Sequence, residues 1–191
     1  QIYDFYGFPR ELYEVKYEAP GSPELAERVG ALIGDGLIVD NSWGTDHGSW
    51  SVLSRIWPDA DIPVVQLSLD ARLSPEEHFL LGQKLEPLRE EGCLIFGSGN
   101  VVHNLSLVDW GVSRGFKWAE DFDKEIRDAI LDRRLEKVVE NGKPGTLPVP
   151  TNEHYLPLLY CLGAAGNMEK IGVFNEGSVL GAVSMTGYII Y

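Results

Sequence analysis

Apolar positions along the chain recur with two periods, and the switches between them mark the elements. Leu25, Ala26, Val29, Leu32 and Ile33 fall on one helical face, with Ser22 as cap, Pro23 at the first position and Glu24 in the first turn. Gly34 and Gly36 close that helix, and Leu37 to Val39 reads as a short strand. A second helix runs through Val52, Leu53 and Ile56 until Pro58-Asp59 stops it. Pro63 to Leu69 is the most β-prone run of the chain. Ser74-Pro75-Glu76-Glu77 opens a third helix, which carries His78, Phe79, Leu81, Leu85 and Leu88 towards Gly92. Leu94 to Phe96 is a further apolar strand. Residues 116–140 place Phe116, Trp118, Phe122, Ile126, Ile130, Leu131 and Leu135 at helical spacing opposite a charged face, as one amphipathic helix broken once. Asn141 to Pro150 is a loop. Thr151 is expected to cap a helix with His154 in its first turn and Leu156, Leu158, Leu159 and Leu162 inside. Ile171 to Tyr191 reads as two closing strands, and residues 3–21 as an irregular aromatic segment laid over a core. Strands alternating with helices predict an α/β class, a single layered domain over residues 1–191 with a central mixed sheet flanked by helices.

Composition narrows the function more than the fold. A formal charge of −13 and a pI near 4.6 argue against nucleic acid or an anionic membrane as partner. Two cysteines, Cys93 and Cys161, both in apolar runs, fit small buried hydrophobes better than a disulfide framework. No run of 18 apolar residues and no signal-peptide pattern occurs. The expectation is a soluble, cytoplasmic protein.

The chemistry gathers at Gly97-Ser98-Gly99-Asn100-Val101-Val102-His103-Asn104, where an apolar strand runs into a glycine turn. Gly97 and Gly99 permit a sharp bend and close approach to a ligand, and the turn delivers Ser98, Asn100, His103 and Asn104 to the carboxyl end of a strand. A tight turn followed by a structural histidine accounts for the same residues. Among the four histidines, His78 lies mid-helix beside glutamates and reads as a solvated or half-buried surface residue. His47, His103 and His154 each stand at a junction where a helix is expected to begin. Three imidazoles around one sheet edge suit a metal centre or an acid/base site. Trp43, Trp50 and Tyr155, beside two of these histidines, are candidate walls for a flat ring, with core filling as the other reading.

Several blocks carry a resemblance. Asp4-Phe-Tyr-Gly-Phe-Pro, Asp46-His47-Gly-Ser-Trp, the run from Pro58 to Leu69, Gly97 to Leu105, and Glu153-His154-Tyr-Leu-Pro-Leu-Leu together resemble the class III extradiol ring-cleavage dioxygenases, in the DOPA-cleaving branch. The resemblance spans nearly the whole chain in the right order. It implies a non-haem metal, iron(II) or in some members zinc(II), at one end of a mixed sheet. His154 matches a metal ligand. His103 matches a histidine that is acid/base in some relatives and a metal neighbour in this branch, and His47 matches a second-sphere histidine near substrate and oxygen. The implied partners are a small aromatic diol and O2, with a homo-oligomer at the level of the family.

Two family motifs that each supply a metal ligand, a His-Gly-Ser-Pro strand end and a Ser-Ala-His-Trp strand end, do not occur here. The expectation is therefore a site supplied only in part by this chain, with an N-terminal segment absent from it or contributed as a separate fragment. Glu153, adjacent to His154, is expected to point away from it, because neighbours on a helix do not share a face. Three functions stay open on the residues alone: a catechol-opening dioxygenase, a non-catalytic binding or scaffold protein on the same fold, and a zinc-dependent hydrolase.

Overall fold

Helix starts show the local code most directly. In the computed structural model, which describes residues 1–166 and 170–191, α1 (Pro23–Ile33) begins where expected, with the Ser22 hydroxyl accepting from the Leu25 amide at 3.1 Å. Helix α3 (Pro75–Lys84) carries a full capping box. The Glu77 amide donates to the Ser74 hydroxyl at 3.2 Å while the Ser74 amide donates to the Glu77 carboxylate at 2.7 Å. Between them, α2 (His47–Ile56) is capped by Asp46, which accepts from the Ser49 amide at 2.9 Å.

The chain divides into two compact units, Gln1–Ser68 and Leu69–Tyr191. The first packs Phe5, Tyr17, Trp50 and Leu53 into a small aromatic core under α2. The aromatic segment expected to lie over a core instead contributes half of it. The second unit holds α3, α4 (Pro87–Glu90), α5 (Lys117–Leu131), α6 (Leu135–Asn141), α7 (Leu156–Gly163) and strands β1 (Ile171–Phe174), β2 (Ser178–Val179), β3 (Val183–Ser184) and β4 (Gly187–Ile190). Its core joins one face of α5 (Ala119, Ile126, Ile130) to Val102, Val138, Tyr155 and Leu159. Each such aliphatic side chain contributes about 1.5–3 kcal/mol when fully buried.

The expected break in residues 116–140 falls at Arg133, which adopts φ 59°. The Arg134 amide then reaches back to the Ala129 carbonyl at 2.8 Å and the Arg133 amide to Ile130 at 3.1 Å. This is a Schellman ending with arginine where glycine is usual. Helices α3 and α7 pack backbone against backbone. A Cβ on Gly82 would stand 2.5 Å from the Tyr160 carbonyl oxygen, and one on Gly163 2.3 Å from that of Phe79. The Asp123 carboxylate, 6% exposed, ties α5 to the closing strands by accepting from Ser184 at 2.5 Å and Thr186 at 2.6 Å.

The sheet differs most from expectation. Among the described residues the ladders are two antiparallel pairs, β1 with β4 and β2 with β3. The closing region thus folds as four short strands where two were expected. None of Leu37–Val39, Pro63–Leu69 or Leu94–Phe96 forms a ladder. β-propensity describes how well a side chain suits a pleated surface, and the ladder itself needs a second strand alongside. Val64 donates its amide to the Pro20 carbonyl at 2.8 Å instead, while Ile38 and Leu94 stay exposed at 86% and 67%. Mixed helices and small sheets are what these residues form.

His78 is not a surface residue. It is 0% exposed, and its Nδ1 lies 2.9 Å from the Tyr160 hydroxyl between α3 and α7. Its neighbours along the helix, Glu76 and Glu77, are exposed, so the acidic flanks concealed an inward-facing position on an amphipathic helix.

Candidate metal centre and active site

The turn after Leu94–Phe96 works by close approach. Neither Gly97 nor Gly99 has a positive φ. A Cβ on Gly99 would stand 2.0 Å from the His154 carbonyl oxygen, and one on Gly97 2.7 Å from the Pro157 oxygen and 2.8 Å from the Cys161 sulfur. The glycines therefore admit the protein's own 154–161 backbone, where the sequence suggested a ligand. Through that gap the Asn100 amide donates to the His154 carbonyl at 2.9 Å. Burial pushes the Cys161 thiol up to about 11, which leaves it an inert filler beneath the turn.

Downstream, residues 102–104 run antiparallel to β3. Ser184 donates its amide to Val102 at 2.9 Å, Asn104 donates to Ala182 at 3.1 Å, and His103 forms the bridge with Val183. His103 thus sits on a strand-like bridge, followed by a single 3₁₀ turn at Leu105–Leu107, where a helix start was expected. The polar residues around it are clamps. The Asn100 side chain donates to the Ser184 carbonyl at 2.6 Å, and that of Asn104, 5% exposed, to Leu147 at 2.9 Å.

His154 and Glu153 precede α7. That helix starts at Leu156 with Pro157 in its first turn, and residues 153–155 form a turn held by the Tyr155 and Leu156 amides on the Asn152 carbonyl at 3.0 and 2.9 Å. A helix capped by Thr151 would have placed Pro157 in its interior, where proline lacks the needed N–H and clashes with the preceding turn. Because residues 153 and 154 lie on a turn, both side chains can converge, and they do. A donor atom from each of His103, Glu153 and His154 lies within 4.8 Å of the others. The His103 and His154 rings stack with centroids 3.5 Å apart and planes 13° from parallel. Glu153 is the residue that helix reasoning set aside, and Pro157 was the sequence signal that could have recovered it.

A cavity of about 230 Å³ opens on this group, lined by His103, Leu105, Ser106, Pro150, Thr151 and Glu153 among others. Desolvation lowers the His103 pKa, with the nearby Glu153 charge opposing it. That keeps the imidazole in the neutral form that ligates metals. Two imidazoles and a carboxylate brought together beside a cavity suit a mononuclear first-row metal, and nitrogen donors disfavour magnesium or calcium.

The other predicted site residues are not members of this three-residue group. His47 is the first residue of α2 in the first unit, with its side chain 45% exposed. Its amide donates to Asp4 at 2.9 Å, and its Nδ1 lies 2.9 Å from the same carboxylate oxygen. Burial opposes ionisation of Asp4, but the contacts with His47 prevail and hold its carboxyl below the ordinary value. Trp50 is 1% exposed in the first unit's core, with its indole N–H on the Ile2 carbonyl at 2.8 Å. Tyr155 is likewise 1% exposed, its hydroxyl on the Val138 carbonyl at 2.8 Å. Both fill cores, which was the second reading for these rings. Trp43, 60% exposed, is the one of the three with a largely open ring.

Such a donor set beside a cavity fits a metal-dependent enzyme of the oxygen- or water-activating kind. The model of the catalytic LigB subunit of aromatic ring-opening dioxygenase matches residues 1–187, and the chain belongs to that family. It is 45% identical over 193 residues to the 4,5-DOPA dioxygenase extradiol of Escherichia coli (strain K12), covering 96% of this chain and 71% of that protein. The protein of the same description from Beta vulgaris is 40% identical over 194 residues, covering 98% of this chain and 72% of its own. The crystal structure of an uncharacterized Escherichia coli K12 protein superposes with a TM-score of 0.82 at 44% identity, over 93% of this chain and 76% of that one. The activity is extradiol opening of an aromatic ring, and the non-catalytic and hydrolytic readings give way to it. Among the described residues no helix is long and apolar enough to cross a membrane.

Proposed function

We propose that the chain opens a DOPA-like catechol with O2 around an iron(II) ion to which His103, Glu153 and His154 contribute ligands. The convergence of these three side chains, two of which line the adjoining cavity, is the observation that carries the reading. Iron(II) supplies the electron pathway between catechol and O2 that redox-inert zinc cannot. In the overall change both oxygen atoms enter the product, and the ring carbon–carbon bond beside the diol, outside the two hydroxyl-bearing carbons, is broken. The chain's own residues select and orient the ring. A cavity of roughly 150 Å³ accommodates benzene, so about 230 Å³ suits one ring with a short substituent. Leu105 and Pro150 offer apolar surface, and Ser106 and Thr151 offer hydroxyls at the rim. Relatives named for DOPA supply the substrate class. His47 is the proposed proton-transfer residue, its imidazole oriented by Asp4.

Oxygen uptake by the iron(II)-loaded protein on addition of L-DOPA tests this reading. His154→Ala should abolish stoichiometric metal binding and uptake together. His47→Ala should keep its metal and lose about 10²–10⁴-fold in turnover, the usual range for a general acid or base. Uptake at the parent rate in His154→Ala would overturn the reading.

A further inference from the structure

Glu153 is exposed and has three rotatable side-chain bonds, so unaided it would sample many positions and lose that freedom on binding a metal. One neighbour restrains it. The Thr151 hydroxyl donates to Glu153 Oε1 at 2.8 Å, and Thr151 lines the same cavity. Threonine is β-branched and stiff about χ1, so its hydroxyl is a well-defined anchor. The backbone that carries both residues is fixed as well, by the Asn100 amide on His154 and by the turn on Asn152.

We infer that Thr151 is a positioning residue for the metal centre: its hydroxyl holds one oxygen of Glu153 so that the carboxylate faces His103 and His154 before metal arrives. This rests on the proposed His103–Glu153–His154 site. Hydrogen-bond partners of metal ligands typically contribute about 10–100-fold to metal affinity.

The test is metal affinity, measured for iron(II) under anaerobic conditions and for cobalt(II) through its visible spectrum, by competition with a chelator. Thr151→Val, nearly equal in volume, should weaken both metals by about 10–100-fold with the melting temperature preserved. Thr151→Ser, which restores the hydroxyl, should recover most of the affinity. In a Glu153→Gln background, Thr151→Val should cost far less than in the parent, because the two act through one contact. Parent affinity in Thr151→Val, no recovery in Thr151→Ser, or full additivity with Glu153→Gln would each overturn the inference. His154→Ala separates the two levels. If it abolishes metal binding while Thr151→Val has no effect, only the role of Thr151 falls. If His154→Ala binds metal like the parent, the site itself is wrong.

Discussion

His47 and the His103–His154 pair are both histidines at junctions, yet they are built in different ways. His47 is set by individual side-chain hydrogen bonds: Asp46 beside it caps the helix it opens, Gln66 donates to that cap at 2.9 Å, and Asp4, 43 positions away, receives its amide. Its ring stays half exposed and edge-on to Phe5, with centroids 5.5 Å apart. His103 and His154 lie 51 positions apart in sequence, and they meet because two glycines admit one backbone against another. A side chain held by separate hydrogen bonds tolerates change in proportion to the cap or ion pair that is lost. A site made by close backbone approach fails as a whole when that approach is blocked. The buried His78 is a third case, placed by distant packing, and among the described residues it joins no group of three metal-ligating side chains.

The largest effect is expected where the approach is tightest. Gly99→Ala puts a carbon 2.0 Å from the His154 carbonyl oxygen. It should destabilise the protein by about 1–3 kcal/mol, the usual cost of overpacking, and should lose metal affinity beyond what the stability change explains. Denaturant unfolding and chelator competition on the same sample would show it, and unchanged values in both would break the contrast drawn here. Asp46→Ala is the matching change at the local site. It should cost about 1 kcal/mol, typical of a lost cap, read from the urea midpoint, while metal affinity holds.

The smallest effect is confined to acid pH. Desolvation lowers the His78 pKa against the opposing Asp70 and Glu77 charges, so the folded state holds this ring neutral. Its folded pKa lies below the unfolded value of about 6.5, so its contribution is complete above that pH. It is lost as pH falls through the folded pKa, because the unfolded chain takes up the proton first. His78→Gln, which can still meet the Tyr160 hydroxyl, should flatten the part of the melting-temperature profile just below pH 6.5. A profile parallel to that of the parent would remove His78 from the account of acid sensitivity.

What the sequence determined by itself was whatever depends on a few consecutive residues. The caps at Ser22 and Ser74 and the glycine- and proline-rich loop at 141–150 were legible because their hydrogen bonds close within a turn. His154 was legible as a candidate ligand through the resemblance of its motif, whereas its helix was expected to start at a Thr151 cap and begins at Leu156, a start that Pro157 signalled and the reading missed. Tertiary structure decided the rest. Whether Leu94–Phe96 becomes a strand depends on a partner strand, not on its own composition. Whether Trp50 and Tyr155 wall a pocket or fill a core depends on what packs over them. The inward face of His78, the meeting of His103 with His154, and the turn that brings Glu153 to both were fixed by contacts between distant parts of the chain. Such contacts depend on packing and on the absence of a side chain at Gly99, neither of which leaves a periodic trace along the sequence.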